Sequence, residues 1–222
     1  MKMKIIATTC DEYLHVLRGF VYMFNRYWPP GAEVTVLGYG APSFGLPDNF
    51  NFISVGKQSR YGRDWTTALI PFFKQLPDEY FILLLDDMYI LDVNKSLLHE
   101  AKKHMAMGAD KVYFTIGSRK GISGEADANF NIINQTGNYR LSLQPSFIKK
   151  SYFLKYLNPG KNIWQYETQH EAPKNDGART LVPKQDIVSY SGFMHKCKIS
   201  ITGEIAKIRE EDLDALKQLG VF

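Results

Sequence analysis

An unbroken run of apolar residues, Tyr80–Leu85, constrains the fold more than any other feature of the 222-residue sequence. A strand that is apolar at every position is typical of a parallel sheet, which is buried on both faces. The run is far shorter than the roughly 20 residues that a membrane helix needs. We therefore expect Tyr80–Leu85 to be a buried strand in the middle of a parallel sheet.

Strand and helix patterns alternate before this run. Three further strands are predicted, at Lys4–Thr9, Val34–Gly38 and Asn51–Val55. A helix with apolar residues at the helical period is expected to begin in a Thr9–Glu12 capping box and to end at Pro29. A second helix is expected from the N-cap Asp64 to Pro77. Such alternation implies crossover connections, and so an α/β fold with a mainly parallel sheet flanked by helices.

The sequence changes in texture after a helix capped by Asn94 and a strand at Val112–Ile116. Gly, Ser, Asn and Asp cluster from Gly117 onward, and three more helices are expected, near Lys149–Leu157, from Trp164 and around Leu213. No linker separates the two parts. We predict a single domain over residues 1–222, with a nucleotide-binding half at about 1–116 and a substrate-binding half at about 117–222.

Composition limits the classes of function. Apolar residues make up 45% and charged residues 23%, as in soluble globular proteins, which argues against disorder. The net charge of +4 would suit an anionic small molecule, a phosphorylated substrate or peripheral association with an anionic membrane, and no basic stripe favours nucleic acid. The apolar stretch after Lys4 is too short for a signal peptide, so a cytoplasmic location is expected.

Two adjacent carboxylates, Asp86 and Asp87, follow the apolar run directly. Ligands of open α/β sheets bind beyond the carboxyl ends of the strands, and Mg²⁺ prefers few carboxylates together with substrate phosphates. Two like charges at the mouth of a sheet are costly, so a cation or a proton is expected to offset them. The alternative is that the pair merely ends the strand and caps a turn.

Two segments carry a resemblance to a known family. Trp65–Asn94 combines an aromatic helix, the apolar strand and the acidic pair, while Gln144–Lys150 is followed by Asn162–Glu167. Together they resemble GT-A fold nucleotide-sugar glycosyltransferases of the bacterial and phage type, over roughly residues 3–170. The resemblance implies a GT-A-like domain whose substrates are a nucleotide-diphospho-sugar, UDP-linked, and a glycan or other hydroxyl acceptor.

The resemblance also implies roles for individual residues. The nucleotide-sugar donor would be held by side chains at strand ends and in the loop before the second helix: Thr8, Thr9, Arg63, Asp86 and Asp87. A divalent ion, Mn²⁺ or Mg²⁺, would be bound by Asp87 and His195, and the acceptor by Gln144 and Trp164. The sequence departs from the family's Asp-x-Asp motif, because Met88 stands where the second acidic residue is expected.

Glu167 is the candidate general base. An inverting transferase needs a carboxylate that takes the proton of the acceptor hydroxyl as it attacks the anomeric carbon. Trp164 and Glu167 are three residues apart and so share one face of a helix. The alternative is a surface helix with a solvated Glu167, and Asp186 and Asp176 are then the next candidates for the base.

Two other functions are compatible with the sequence. A nucleotidyltransferase shares the sheet and the acidic ligands, but it usually has a Gly-rich, basic loop after the first strand to hold a triphosphate. In this chain Thr8–Asp11 occupies that place, without glycine, arginine or lysine. The third candidate is a non-catalytic carbohydrate-binding protein with a degenerate site.

Overall fold

The computed structural model describes residues 3–118, 121–134, 140–168, 176–195, 198–199 and 204–222. The first half contains four strands and three helices. In chain order they are β1 (Lys4–Thr8), α1 (Leu14–Tyr27), β2 (Val34–Gly38), β3 (Phe50–Ser54), α2 (Gln58–Tyr61), α3 (Trp65–Gln75) and β4 (Tyr80–Leu85). The predicted strand and helix order up to Leu85 is therefore confirmed, with the short α2 as an addition.

The remaining described elements are shorter and more varied. In chain order they are β5 (Met88–Val93), α4 (Lys95–Ala106), β6 (Lys111–Tyr113), β7 (Ile122–Glu125), β8 (Phe130–Ile133), β9 (Ser146–Lys149), α5 (Lys150–Tyr156), α6 (Ile163–Glu167), β10 (Thr180–Pro183), β11 (Val188–Gly192), β12 (Met194–His195), β13 (Lys198–Ile199) and α7 (Glu210–Gln218). Single 3₁₀ turns occur at Asp11–Tyr13, Ile116–Ser118 and Ile205–Lys207.

Nine strands form one sheet in the order β3-β2-β1-β4-β9-β6-β10-β8-β7. β1 is central to the parallel part, since Ile5 pairs with Val34 on one side and with Ile82 on the other. All of the nine strands run in one direction except β8 and β9. The predicted α/β fold with a mainly parallel sheet flanked by helices is thus confirmed.

β9 was not predicted, and it joins the two halves of the sheet. It runs antiparallel between β4 and β6, with Ser146 opposite both Leu83 and Tyr113. The residues that precede β9 therefore emerge at the edge where β4 and β6 end. This reversed strand is how a segment from the second half reaches the carboxyl edge of the first.

A second, two-stranded sheet continues from β4. β5 pairs antiparallel with β11, and Met88 lies opposite Gly192. Asp86 and Asp87 form the two-residue connection between β4 and β5. The end of β11 consequently lies next to the acidic pair.

Helix starts follow the predicted caps in two of three cases. The Asp64 side chain accepts a hydrogen bond from Thr67 N at 3.0 Å, and Asn94 accepts from Leu97 N at 3.1 Å. The capping box at Thr9 is wrong, because the chain enters α1 through a 3₁₀ turn that has no side-chain cap. The Thr9 hydroxyl instead donates to Asp86, since a buried carboxylate is a stronger acceptor than a peptide group.

The core extends through both halves of the chain. One apolar cluster packs α1, α4 and α7 against the sheet and contains Ile82, Phe147 and Leu216, and a second lies under α3 and α5. No described helix is both long enough and apolar enough to cross a membrane.

A buried carboxylate fastens α7 to α1. Asp212 is fully buried, and it accepts hydrogen bonds from Tyr22 at 3.0 Å and Tyr27 at 2.5 Å. Arg26 Nε lies 2.7 Å from its Oδ1 atom. A carboxylate with three such partners is compensated for its loss of water.

Candidate functional site

The acidic pair lies at the carboxyl edge of the sheet, where β1 and β4 end side by side. Asp86 is buried, and its Oδ2 atom accepts the Thr9 hydroxyl at 2.5 Å. Burial and then the charge of Asp87 raise the pKa of Asp86 well above its usual value. Thr8 is buried in the last position of β1, where it pairs with Leu85. Thr8, Thr9 and Asp86 are therefore neighbours, as the sequence predicts.

Asp87 has a carboxylate oxygen without a hydrogen-bond donor. Its Oδ1 atom is buried and makes no hydrogen bond in the described part of the chain. Burial raises the pKa of Asp87 to about 6, and the negative charge of Glu167 adds to the shift. Asp87 and Glu167 thus lie close enough to interact, although 80 residues separate them in the sequence.

An aromatic stack supports the backbone at Asp87. The Asp87 carbonyl accepts from Phe193 N at 2.7 Å, and the Phe193 ring stacks on Tyr89 at 4.5 Å between ring centroids. The Tyr89 hydroxyl in turn donates to the carbonyl of Val16 in α1 at 2.9 Å. A side chain at Gly19 would collide with that hydroxyl, so glycine is required there. The turn that carries the acidic pair is thereby fixed to the core.

The donor-free carboxylate oxygen of Asp87 fits one ligand position of a hard divalent cation. No group of three or more His, Cys, Asp or Glu side chains able to hold a metal is found among the residues that the structure describes. Mg²⁺ is commonly bound by one or two carboxylates plus substrate phosphates, which is compatible with such a sparse set. The side chain of His195, the other predicted ligand, lies outside the described residues.

The edge of the sheet beyond Thr9 carries aromatic and polar groups. The rings of Tyr39 and Tyr61 are 6.1 Å apart. Asp11 accepts from Gly40 N and donates its own N–H to Gln58 Oε1, both at 2.7 Å. These contacts join the loops that follow β1, β2 and β3 at the same edge as the acidic pair.

Arg63, the predicted diphosphate contact, is exposed just before α3. It makes no hydrogen bond or ion pair with another described residue. The structure therefore does not bring Arg63 into contact with the acidic pair.

Glu167 lies at the end of α6, which begins in a complete capping box formed by Asn162 and Gln165. Its Oε1 atom accepts from Leu143 N at 2.6 Å and from the Ser142 hydroxyl at 3.3 Å. Its Oε2 atom makes no hydrogen bond with any described residue. One oxygen is thus held by two hydrogen bonds, whereas the other has none among the described residues.

Gln144 and Trp164, the predicted acceptor contacts, are both near Glu167 in the chain's fold: Gln144 follows Leu143, whose N–H binds Glu167, and Trp164 is on α6 with Glu167. Gln144 is half-buried, and its Oε1 atom accepts the Thr115 hydroxyl at 3.1 Å. Trp164 is 60% exposed on α6. An exposed indole at the edge of a site is suited to stacking on a sugar ring, because its apolar face is not covered by other side chains.

Tyr190 shows how the carboxylates are grouped. Burial raises its pKa to about 12, and nearby negative charges add to the shift. The groups responsible come from four parts of the chain and are Glu204, Asp87, Asp186 and Glu167. The carboxyl edge of the sheet therefore carries a group of acidic residues around the half-buried phenol of Tyr190.

The two other candidates for a base are engaged elsewhere. Asp186 accepts from Ile116 N at 2.7 Å and so holds the turn after β6. Asp176 pairs with Arg140 at 2.9 Å and also accepts from the Tyr156 hydroxyl. Hydrogen bonds and the Arg140 charge lower the pKa of Asp176, which makes it a poor base.

Sequence reasoning missed Lys111 and Tyr190. Lys111 is buried in β6 and interacts electrostatically with Glu167. The available signal was the alternation of Lys111, Tyr113 and Thr115, which puts three polar side chains on one face if the strand predicted at Val112–Ile116 begins one residue earlier.

Comparison with known proteins gives a fold. No protein-family model matches the sequence, and no curated protein is significantly similar to it. The crystal structure of S. aureus TarS 1-349 in complex with UDP-GlcNAc matches with a TM-score of 0.57 at 14% identity, covering 100% of this chain and 66% of that one. The chain has a GT-A-like fold.

A second matched structure shares this GT-A-like fold over nearly its whole length. Apo UDP-glucose pyrophosphorylase has a TM-score of 0.54 at 12% identity, with 98% of this chain and 99% of that chain covered. The chain spans between 36% and 66% of the TarS chains that it matches.

Proposed function

We propose that this protein is a glycosyltransferase that moves a sugar from a UDP-linked donor to a hydroxyl group of a glycan or similar acceptor. The observation that carries the proposal is that two carboxylates, Asp87 and Glu167, lie near each other at one edge of the sheet. Asp87 has a buried oxygen without a hydrogen bond, and the Oε2 atom of Glu167 has no hydrogen bond among the described residues. The GT-A-like fold supports it, since the matched TarS structure is a complex with UDP-GlcNAc.

The donor would lie against Thr8, Thr9 and Asp86, with the ribose on the Asp86 side and the diphosphate beside Asp87. A bound Mn²⁺ or Mg²⁺ would neutralise the charge that develops on the leaving diphosphate. Arg63 is the proposed further phosphate contact, and as an exposed side chain on a loop it could reach a bound diphosphate.

The acceptor would lie between Gln144 and Trp164. Leu143 N–H and the Ser142 hydroxyl fix Glu167 Oε1, so that Oε2 is directed to the acceptor hydroxyl and takes its proton. The hydroxyl oxygen then attacks the anomeric carbon while the diphosphate departs on the opposite side. Such a displacement inverts the anomeric configuration.

The test is UDP release from UDP-GlcNAc and UDP-glucose in the presence of Mn²⁺, by the wild type and by Glu167→Gln. The variant should lose about 100-fold to 10,000-fold in turnover, because the amide keeps the shape and removes the basicity. Its affinity for UDP should stay the same. Glu79→Gln is the matched control, since Glu79 is an exposed glutamate directly before β4. Near-normal turnover in Glu167→Gln would contradict the assigned base.

One observation favours a nucleotidyltransferase as the second candidate. The match to UDP-glucose pyrophosphorylase covers almost all of both chains. Against it, the connection from β1 into α1 contains no glycine, arginine or lysine for a triphosphate. Incubation with UTP and glucose 1-phosphate distinguishes the two, because only a nucleotidyltransferase releases pyrophosphate. A protein that binds UDP-sugars and releases neither product would be the non-catalytic carbohydrate binder.

A further inference from the structure

Three polar side chains hydrogen-bond to the segment 140–144. Two of them, Lys111 and Tyr113, are in β6, and the third, Thr115, follows β6 directly. They belong to alternate residues, so they point the same way along the strand. The three bonds run from Lys111 Nζ to the Ser142 carbonyl at 2.5 Å, from the Tyr113 hydroxyl to the Arg140 carbonyl at 2.7 Å and from the Thr115 hydroxyl to Gln144 Oε1 at 3.1 Å. The segment 140–144 is therefore fastened to the sheet along its length.

The same segment holds Glu167 on its other side. Ser142 connects the two, because its carbonyl accepts from Lys111 and its hydroxyl donates to Glu167 Oε1. Leu143 N–H gives the shorter bond to that oxygen, at 2.6 Å. A displacement of the Ser142 carbonyl would thus move both donors that fix Glu167.

Packing alone does not explain a lysine at position 111. The residue is only 2% exposed, and burial of its ammonium lowers the pKa of Lys111 to about 7. Lysine is almost never fully buried unless it is paired, and an apolar side chain of similar length would avoid this cost. The negative charge of Glu167 acts in the opposite direction and favours the charged amine, whereas nearby Arg140 disfavours it. Arg140 itself is paired with Asp176.

We propose that Lys111 is a positioning residue for Glu167, because its hydrogen bond to the Ser142 carbonyl holds the two donors, Ser142 and Leu143, that fix the Glu167 carboxylate. This inference rests on the proposed role of Glu167 as the general base. Besides Lys111, Glu167 interacts electrostatically with Asp87 after β4, Tyr113 on β6, Tyr166 on α6 and Tyr190 on β11.

The test compares Lys111→Met with Tyr113→Phe, which removes a hydrogen bond to the same segment but no charge. UDP release from UDP-GlcNAc is measured across pH 5 to 9. Lys111→Met should lower kcat by about 10-fold to 100-fold, since small displacements of a catalytic group are costly. The KM for the nucleotide-sugar should stay within about twofold, because Lys111 is not among the residues proposed to bind it.

Rescue by a conservative variant separates positioning from side-chain packing. Lys111→Gln keeps a donor for the Ser142 carbonyl, so its kcat should lie well above that of Lys111→Met, which has no donor. If Lys111→Met leaves kcat unchanged, or if Lys111→Gln is no better than Lys111→Met, the proposal is overturned.

A measurement without substrate distinguishes this inference from the proposed function. Hydrogen exchange of the Leu143 amide, which donates to Glu167 Oε1, should be faster in Lys111→Met than in the wild type. Faster exchange in a protein without turnover would support the placement of Lys111 and refute the transferase. Unchanged exchange in an active protein would refute the placement alone. Should Lys111→Met not fold, Lys111→Leu also removes the donor, and the same exchange rate decides.

Discussion

Replacement of Asp87 by asparagine should stabilise the metal-free protein at neutral pH and leave it unchanged in acid. Burial raises the pKa of Asp87 from 3.8 to about 6. A carboxyl whose pKa is higher in the folded state contributes its full stability below about pH 4 and loses it as the pH rises through 6. A shift of about two units at about 1.4 kcal/mol each corresponds to about 3 kcal/mol. The amide still leaves one buried polar atom without a partner, so we expect a net gain of about 1 to 3 kcal/mol at pH 8.

The assay is urea unfolding of both proteins in EDTA at several pH values from 4 to 8. The difference in unfolding free energy should be near zero at pH 4, grow up to pH 6 and then level off. Asp92→Asn is the matched control, because Asp92 is exposed on the adjacent strand β5, and its difference should not change with pH. An Asp87→Asn protein that is no more stable than the wild type at pH 8 would refute the view that Asp87 is ionised without a partner.

Three further substitutions test the described contacts. Thr9→Val should cost about 1 to 3 kcal/mol of stability in urea unfolding, because it removes the hydrogen bond to the buried Asp86, and calorimetry should show weaker UDP binding. Trp164→Ala should change stability by less than about 0.5 kcal/mol, since the indole is exposed, but it should raise the KM for the acceptor in the UDP-release assay. Asp212→Ala should cost about 3 to 5 kcal/mol, because it leaves the α1 partners of a buried carboxylate unpaired, whereas Asp214→Ala at an exposed position should be nearly neutral in the same unfolding assay.

The parallel half of the fold could be predicted because its signals are local. β2 and β4 have the predicted bounds, since apolar runs between turn residues leave little choice of register. β9 and β5 were both missed. β9 has only four residues and is defined by pairing with distant strands. Met88–Val93 lies within the segment Trp65–Asn94 that carries the family resemblance, and no strand was predicted at Met88–Val93, because the strand β11 that pairs with it is about 100 residues away.

The site was predicted where a residue's place in the chain fixes its place in space. Asp86 and Asp87 follow a buried strand, so their position at the carboxyl edge is unavoidable. The capping box at Thr9 failed because its hydroxyl bonds to a residue 77 positions away, which no local pattern indicates. Lys111 was missed because lysine in a sequence normally indicates the surface.

The place of β9 in the sheet affects how the protein folds during its synthesis. β1 to β4 are complete once Leu85 has been made, but the strand that covers the outer edge of β4 begins at Ser146, after about two thirds of the 222 residues. Until then an apolar strand exposes unpaired N–H and C=O groups, which are a template for aggregation. The nascent chain should therefore depend on chaperones during this interval. Thr9 and Asp86 can meet early on the ribosome, whereas Glu167 joins them only when synthesis is three quarters complete.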